Sequence, residues 1–247
     1  MRNIRIFVPD LQAHTDDGTV VLPEQASNHV SRVLRMRAGD ALTVFDGRGG
    51  EYSAEIANIA KKEVALRLGA HASIERESPL AVTLIQGLAR GDKMDYIVQK
   101  ATELGVARII PVATSRGVVQ LDEDRGDRKW QHWRAVAAAA CEQCGRNRLP
   151  QIEPPCSLEQ LWQTRSLPSL RLLLSPHAQT GIASALIPQP TELAVLIGPE
   201  GGLDPEEESR AVAAGFGQVS LGPRVLRTET AGLAVLAAVQ SLAGDLQ

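Results

Sequence analysis

Two hydrophobic rhythms divide the chain. From Arg5 to about Leu68 the apolar runs are short: RIFV at 5–8, TVVL at 19–22, ALTVFD at 41–46, EYSAEIANI at 51–59 and EVALRL at 63–68. Turn signals at Asp17-Gly18, Gly39-Asp40 and Asp46-Gly47 separate them, so the segment reads as strands. One helix is predicted among them over Glu24 to Arg35, where Val30, Val33 and Leu34 fall at helical spacing. HASIERESP at 71–79 reads as a polar linker, and beyond Leu80 strands and helices alternate.

LAVTLIQGL (80–88), VARIIPVAT (106–114), a short run near 149–152, RLLLS (171–175), LAVLIG (193–198) and GQVSLG (217–222) are the predicted strands of this second part. Between them lie predicted helices at 91–105, about 128–143, 157–164 and 205–214, and a last one runs from about Glu229 to Ala243. Strands joined through helices make a mainly parallel sheet, and the fold class is α/β. We place the boundary between residues 1–72 and 73–247.

The most informative segment is LAVLIGPEGGLDPEEE, a buried strand running into Gly198, Pro199, Glu200, Gly201 and Gly202 and then a helix. Ligands bind at such strand ends in open α/β sheets, although a tight connection alone would also call for these glycines. Neither a dinucleotide fingerprint nor a P-loop is present. Asp204 suits the N-cap, Pro205 the first helical position, and Glu206, Glu207 and Glu208 fill the first turn. Three carboxylates there oppose a phosphate and favour an unphosphorylated, positively charged nucleoside such as S-adenosylmethionine. A second loop, LGPRVLRTETAG (221–232), sets Arg224, Arg227 and Glu229 beside a helix for which Thr228 is a possible N-cap, and Ser175-Pro176-His177 forms a third strand-end loop.

Composition narrows the choices. With 26 Lys+Arg against 29 Asp+Glu the net charge is -3, so any nucleic-acid site is a local patch. Aromatics make up 3%, too few for rows of base-stacking rings, and recognition of bases would lean on Arg and backbone. Cys141, Cys144 and Cys156 read as free thiols of a reducing, cytoplasmic compartment, and Cys141-x-x-Cys144 lacks the further ligands of a zinc site, so no metal is expected. No apolar run is long enough to span a membrane. Trp130 and Trp133 are read as packing residues.

GLARGDKMDYIVQKATELGV, ACEQCGRNRLP, LIGPEGGLDPEE and LGPRVLRTETA resemble, in order, the motifs of the ribosomal small-subunit methyltransferase E family, 16S rRNA uracil-N3 methyltransferases of the SPOUT class. IRIFVP, NHVSRVLRMRAGD and FDGRGGEY resemble that family's PUA-like RNA-binding domain. Leu203, Val225 and Cys144 stand where the family often has Phe, Ile and a small polar residue. The resemblance implies a C-terminal SPOUT-type α/β domain with a deep trefoil knot and a small N-terminal PUA-like β-barrel. It implies S-adenosylmethionine held by Leu174, Ser175, Ile197, Gly198, Pro199, Glu200, Gly201, Gly202, Leu221, Gly222, Val225 and Leu226, and a homodimer formed through the knotted domain. The implied partner is 16S rRNA or the assembled small subunit.

Uracil N3 is a poor nucleophile until it loses its proton, so methylation there needs a base or a cation that stabilises the forming anion. Arg stays protonated, which gives Arg227 charge stabilisation and Glu229 either proton acceptance or the orientation of Arg227. The RNA candidates are Arg5, His29, Arg32, Arg35 and Arg37 in the first part and Arg90, Lys93, Arg116, Arg146 and Arg148 in the second. Arg35, Arg116 and Arg146 are singled out among these; Arg35 and Arg146 lie within the motifs quoted above.

Overall fold

The computed structural model describes residues 4–11, 15–16, 18–61, 63–117, 123–164 and 166–246. Asp17 of the first predicted turn lies outside them. By contacts the chain forms two compact units, Met1–Glu77 with Ala138–Leu149, and Ser78–Ala137 with Pro150–Gln247.

In the first unit, strands β1 (Arg5–Phe7), β2 (Thr15–Asp16), β3 (Thr19–Val21), β4 (Ala41–Phe45), β5 (Glu51–Ile59) and β6 (Val64–Ala72) join in the order β1-β4-β5-β6-β3-β2. The β1–β4 pair is parallel and the other pairs are antiparallel. Their inward residues, among them Ile6, Val20, Leu42, Val44, Ile56 and Leu66, form one core. The predicted helix is helix α1 (Glu24–Asn28) followed by a π-helical turn, His29–Val33, in which Leu34 N–H reaches back to His29 O. That wider turn keeps Val30 inside and turns Val33 outward at 68% exposure, against the single amphipathic stripe expected. Two residues beyond its end, Arg35 has a left-handed backbone, φ 54°.

The expected linker is more ordered than its polarity suggested. His71 and Ala72 complete β6, while Glu75 pairs with Arg148 and Glu77 with Arg146. The segment that follows the motif ACEQC therefore belongs to the first unit. Arg5 ties it down by donating to Glu51, to Asn147 Oδ1 and to Arg146 O, and Glu142 accepts from Phe7 N–H at 2.8 Å.

The second unit is a parallel sheet with helices on both faces. Strands β7 (Ala81–Gly87), β8 (Arg108–Ala113), β9 (Gln151–Ile152), β10 (Cys156–Ser157), β11 (Arg171–Leu174), β12 (Glu192–Ile197) and β13 (Gly217–Val219) run in the order β10-β8-β7-β12-β11-β13, with β9 also on β8. Helices α2 (Lys93–Glu103), α3 (Glu123–Cys144), α4 (Leu158–Thr164), α5 (Ile182–Ala185), α6 (Pro205–Ala213) and α7 (Thr228–Ala243) complete it, α3 continuing into the segment counted with the first unit. Alternate residues of β7, β8, β11 and β12 enter different cores. Leu193, Val195 and Ile197 of β12 pack in a cluster with Ile97 of α2 and Val235 and Leu236 of α7. Ala194 and Leu196 pack in one with Leu161 of α4 and Ala211 of α6. Burial on both faces is why LAVLI reads as an unbroken apolar run.

Trp133 is 2% exposed and its Nε1 donates to Asp95 Oδ1 at 3.1 Å, while Trp130 Nε1 donates to Ile152 O at 2.7 Å. Both indoles pack, as expected. Among the described residues no helix is long and apolar enough to cross a membrane.

Candidate active site

The strand order turns around at β7. The chain leaves it for β8 on one side, and β12 later lies against it on the other, with β11 and β13 beyond. At the carboxyl ends of β11, β12 and β13 three loops converge on a cavity of about 440 Å³. Its apolar wall includes Leu173, Ile197, Leu203, Leu226 and Ala231, and its polar rim includes Lys93, Glu200, Glu208 and Arg227. That size and mixture suit a small organic ligand.

Close backbone approach shapes the loop after β12. A Cβ at Gly87, the last residue of β7, would lie 2.5 Å from Pro199 N, and one at Gly198 would lie 3.0 Å from Leu203 N. Gly202 has φ +69°, the left-handed region. Below the loop runs a buried relay: Gln86 Nε2 donates to Thr228 Oγ1 at 2.9 Å, and Thr228 Oγ1 donates to Gly198 O at 2.6 Å. Thr228 is thus the first residue of α7 and fastens the loop, whereas its N-cap is Arg227, without a side-chain cap bond. This corrects the capping role read for Thr228.

Helix α6 begins as its sequence indicates. Asp204 accepts from Glu207 N–H and Glu207 accepts from Asp204 N–H, a capping box with Pro205 behind the cap. Ser115 Oγ also donates to Asp204, and this hydroxyl, with Glu207 N–H, holds the Asp204 carboxyl below its usual range. The helix N-terminus is occupied by its own carboxylates and is no phosphate site.

Of the residues expected to hold the cofactor, Leu174, Ser175, Ile197, Gly198, Pro199, Glu200, Gly202, Leu221, Gly222, Val225 and Leu226 line the cavity. Gly201 is turned toward Arg116, whose Cβ would lie 3.2 Å from a Cβ placed there. Val225 is 80% exposed at the rim. Arg227 lines the cavity too, whereas Glu229, in the first turn of α7, is not among its lining residues.

A cation that the motifs did not single out links these groups. Lys93 Nζ donates to Glu200 Oε1 at 3.0 Å and lies 3.2 Å from Glu229 Oε2. Both carboxylates raise the lysine above its ordinary value. Partial burial would raise the Glu200 carboxyl, but its own backbone N–H, Lys93 and Arg90 N–H outweigh that and lower it. Glu229 is lowered chiefly by its own backbone N–H, then by Lys93 and Arg227, against a smaller effect of burial. The three groups remain charged together. Lys93, expected above among the RNA contacts, is thus paired with two carboxylates at the cavity.

Residues 76–240 match the RNA methyltransferase domain family, and residues 22–69 match the RNA methyltransferase PUA domain family. Over 219 residues the chain is 33% identical to the ribosomal RNA small subunit methyltransferase E of Bacillus subtilis, with 86% of each chain covered. The chain belongs to the ribosomal RNA small subunit methyltransferase E family. A methyltransferase from Legionella pneumophila in complex with bound S-adenosylmethionine is 39% identical, with TM-score 0.93 over 100% of both chains. A ribosomal RNA small subunit methyltransferase E from Neisseria gonorrhoeae, bound to S-adenosyl methionine, is 34% identical, with TM-score 0.89 over 100% of both.

The cationic residues expected to meet RNA separate by burial. His29 and Arg35 are exposed around the π-helical turn, as are Arg32 and Arg37. Arg116 is exposed, and its guanidinium donates to Gly201 O and Leu203 O at 3.3 and 3.2 Å, beside the cavity loop. Arg5 and Arg146 differ: their side chains are 7% and 5% exposed and paired with Glu51 and Glu77. Buried and paired, they hold the first unit together and offer no charge at its surface. Nothing in their local sequence marks this, since Glu51 and Glu77 are distant along the chain. Lys93 was legible only as a charge at a helix start, and no local signal could have shown its two carboxylates.

Proposed function

We propose that this chain transfers a methyl group from S-adenosylmethionine to N3 of one uridine in the 16S rRNA of the small ribosomal subunit. The observation that carries the reading is the convergence of the three strand-end loops on one cavity of about 440 Å³, its wall apolar and its rim bearing Lys93, Glu200, Glu208 and Arg227. An adenosine suits the apolar wall. The carboxylates near α6 suit a cationic cofactor and repel a phosphate. Leu174, Ser175, Ile197 to Glu200, Gly202, Leu221, Gly222, Val225 and Leu226 hold that cofactor, which supplies an electrophilic methyl group on a positively charged sulfur.

The chain's own part is alignment and charge. Arg227 faces the acceptor and stabilises the anion left when N3 loses its proton. A carboxyl held below its ordinary range is a weak base, so Glu229 keeps charges in register through Lys93 and does not take the proton. Residues 1–72, to which the first unit adds 73–77 and 138–149, act as the PUA-like RNA-binding domain, and the rest of 73–247 acts as the knotted methyltransferase domain. His29, Arg35 and Arg116 contact phosphates of 16S rRNA or of the assembled subunit. The chain works in the cytoplasm as a homodimer through the knotted domain, and a monomer in sedimentation at working concentration contradicts that part.

Calorimetric titration with S-adenosylmethionine tests the cofactor assignment. One site per chain is expected, with affinity lost when Leu226→Glu puts a carboxylate into the apolar wall. Absence of binding by the unaltered chain overturns the assignment.

A further inference from the structure

Lys93 opens α2, where the helix dipole presents its positive end, so its ammonium is placed against the field of its own helix. Asp92 before it makes no side-chain cap bond. Two carboxylates from other elements compensate: Glu200 on the loop after β12, and Glu229 in the first turn of α7. Arg90 N–H donates to the same Glu200 oxygen at 3.1 Å. The Lys93, Glu200 and Glu229 side chains are 30%, 29% and 18% exposed, so the group sits at the cavity rim and is neither buried nor freely solvated.

We infer that Lys93 is a positioning residue of methyl transfer, its ammonium tying the Gly198–Gly202 loop to the start of α7 and thereby fixing the acceptor side of the cavity. The inference rests on the methyltransferase reading for its effect on rate. Without the ammonium, Glu200 and Glu229 face each other as like charges in a partly desolvated place. The glycine-rich loop is the part most able to yield. Arg227 lies two residues before Glu229 as the N-cap of α7, so a displaced Glu229 carries Arg227 with it. A misplacement of about 1 Å costs on the order of 100-fold in rate. The role is indirect: the two carboxylates keep Lys93 protonated, which removes it as a proton acceptor.

Three variants test this: Lys93→Gln, Lys93→Arg, and Lys93→Gln combined with Glu229→Gln. In single-turnover methyl transfer at saturating RNA, Lys93→Gln is expected to lose on the order of 100-fold. Lys93→Arg should recover most of that loss, and the double variant, which removes the repulsion, should run at least about tenfold faster than Lys93→Gln alone. A double variant no faster than Lys93→Gln shows the ammonium acting on the substrate directly and overturns the positioning role. An unchanged rate in Lys93→Gln, with only the salt dependence of RNA binding reduced, makes Lys93 a phosphate contact and also overturns it.

A second readout needs neither cofactor nor RNA. Amide hydrogen exchange over 198–202 and 227–231 should quicken in Lys93→Gln and remain as in the unaltered chain in Lys93→Arg. Unchanged exchange in Lys93→Gln removes the proposed link between loop and helix. Should the unaltered chain fail to bind S-adenosylmethionine, the functional reading falls, while this exchange experiment still decides whether Lys93 joins the two segments.

Discussion

Glu229 shows how a side chain's surroundings decide its use. Its pKa is lowered from 4.5 by its own backbone N–H first, then by Lys93 and Arg227, so its stabilising contribution is complete above that unfolded value and is lost only as pH falls through the lower folded one. Lys93 has the opposite sign: its pKa is raised from 10.5, so its contribution is complete below that value and is lost as pH rises through the higher folded one. Between these limits the ionisation of the pair is constant. A rise of methyl-transfer rate from neutral into mildly alkaline solution therefore reports loss of the uracil N3 proton. Glu229→Gln is expected to be slower but to keep that rise. A profile already flat from neutral to mildly alkaline solution in the unaltered chain, with the rise appearing only in Glu229→Gln, would restore Glu229 as the base.

Arg146 makes the complementary point at the same scale. The motif that contains it suggested RNA, yet its side chain is 5% exposed against Glu77, and the pair raises the guanidinium pKa despite the opposing effect of burial. Arg146→Met leaves Glu77 without its partner and should cost about 3 kcal/mol of unfolding free energy in denaturant titration, the low end of the range because Glu77 keeps 24% exposure. The salt slope of RNA binding should remain unchanged in that variant, whereas Arg35→Ala and Arg116→Ala should each reduce it by about 1. A reduced slope with unchanged stability in Arg146→Met would return Arg146 to the RNA surface.

Among elements, the junction of β7 with the loop after β12 is the tightest place in the site. Gly87→Ala would set a Cβ 2.5 Å from Pro199 N, backbone that can clear it only by moving the loop. The variant is expected to bind S-adenosylmethionine at least about tenfold more weakly by calorimetry, since its cofactor loop is no longer pre-formed. Unchanged affinity would show that the loop can shift without harm.

The same scale explains what could be read beforehand. The strand LAVLI and the start of α6 were legible because their causes are local: burial on both faces gives a continuous apolar run, and a capping box spans three residues. The π-helical turn was not, because periodicity distinguishes helix from strand and not one helical pitch from another. The pairing of Glu75 and Glu77 with 146–148 was equally hidden, since a polar run looks like a linker until its distant partners are known. The cavity loops were recognised from motifs, and only the folded chain showed that Gly201 turns away while Lys93 turns in.

For the molecule as a whole, a parallel sheet with a strand-end cavity and a separate β-rich unit suit an enzyme that grips a large substrate with one surface and modifies one atom of it with another. With a net charge of -3, such a grip would fall to local clusters, and the exposed one around His29 and Arg35 is the one proposed for it. The central claim concerns one atom of one base, and a direct product measurement decides it. The purified chain is incubated with isotopically labelled S-adenosylmethionine and small subunits from cells lacking the activity, and the digested rRNA is separated and identified by mass spectrometry. Labelled 3-methyluridine is the predicted product. A different labelled nucleoside, or none from a chain that binds the cofactor and the subunit, contradicts the account.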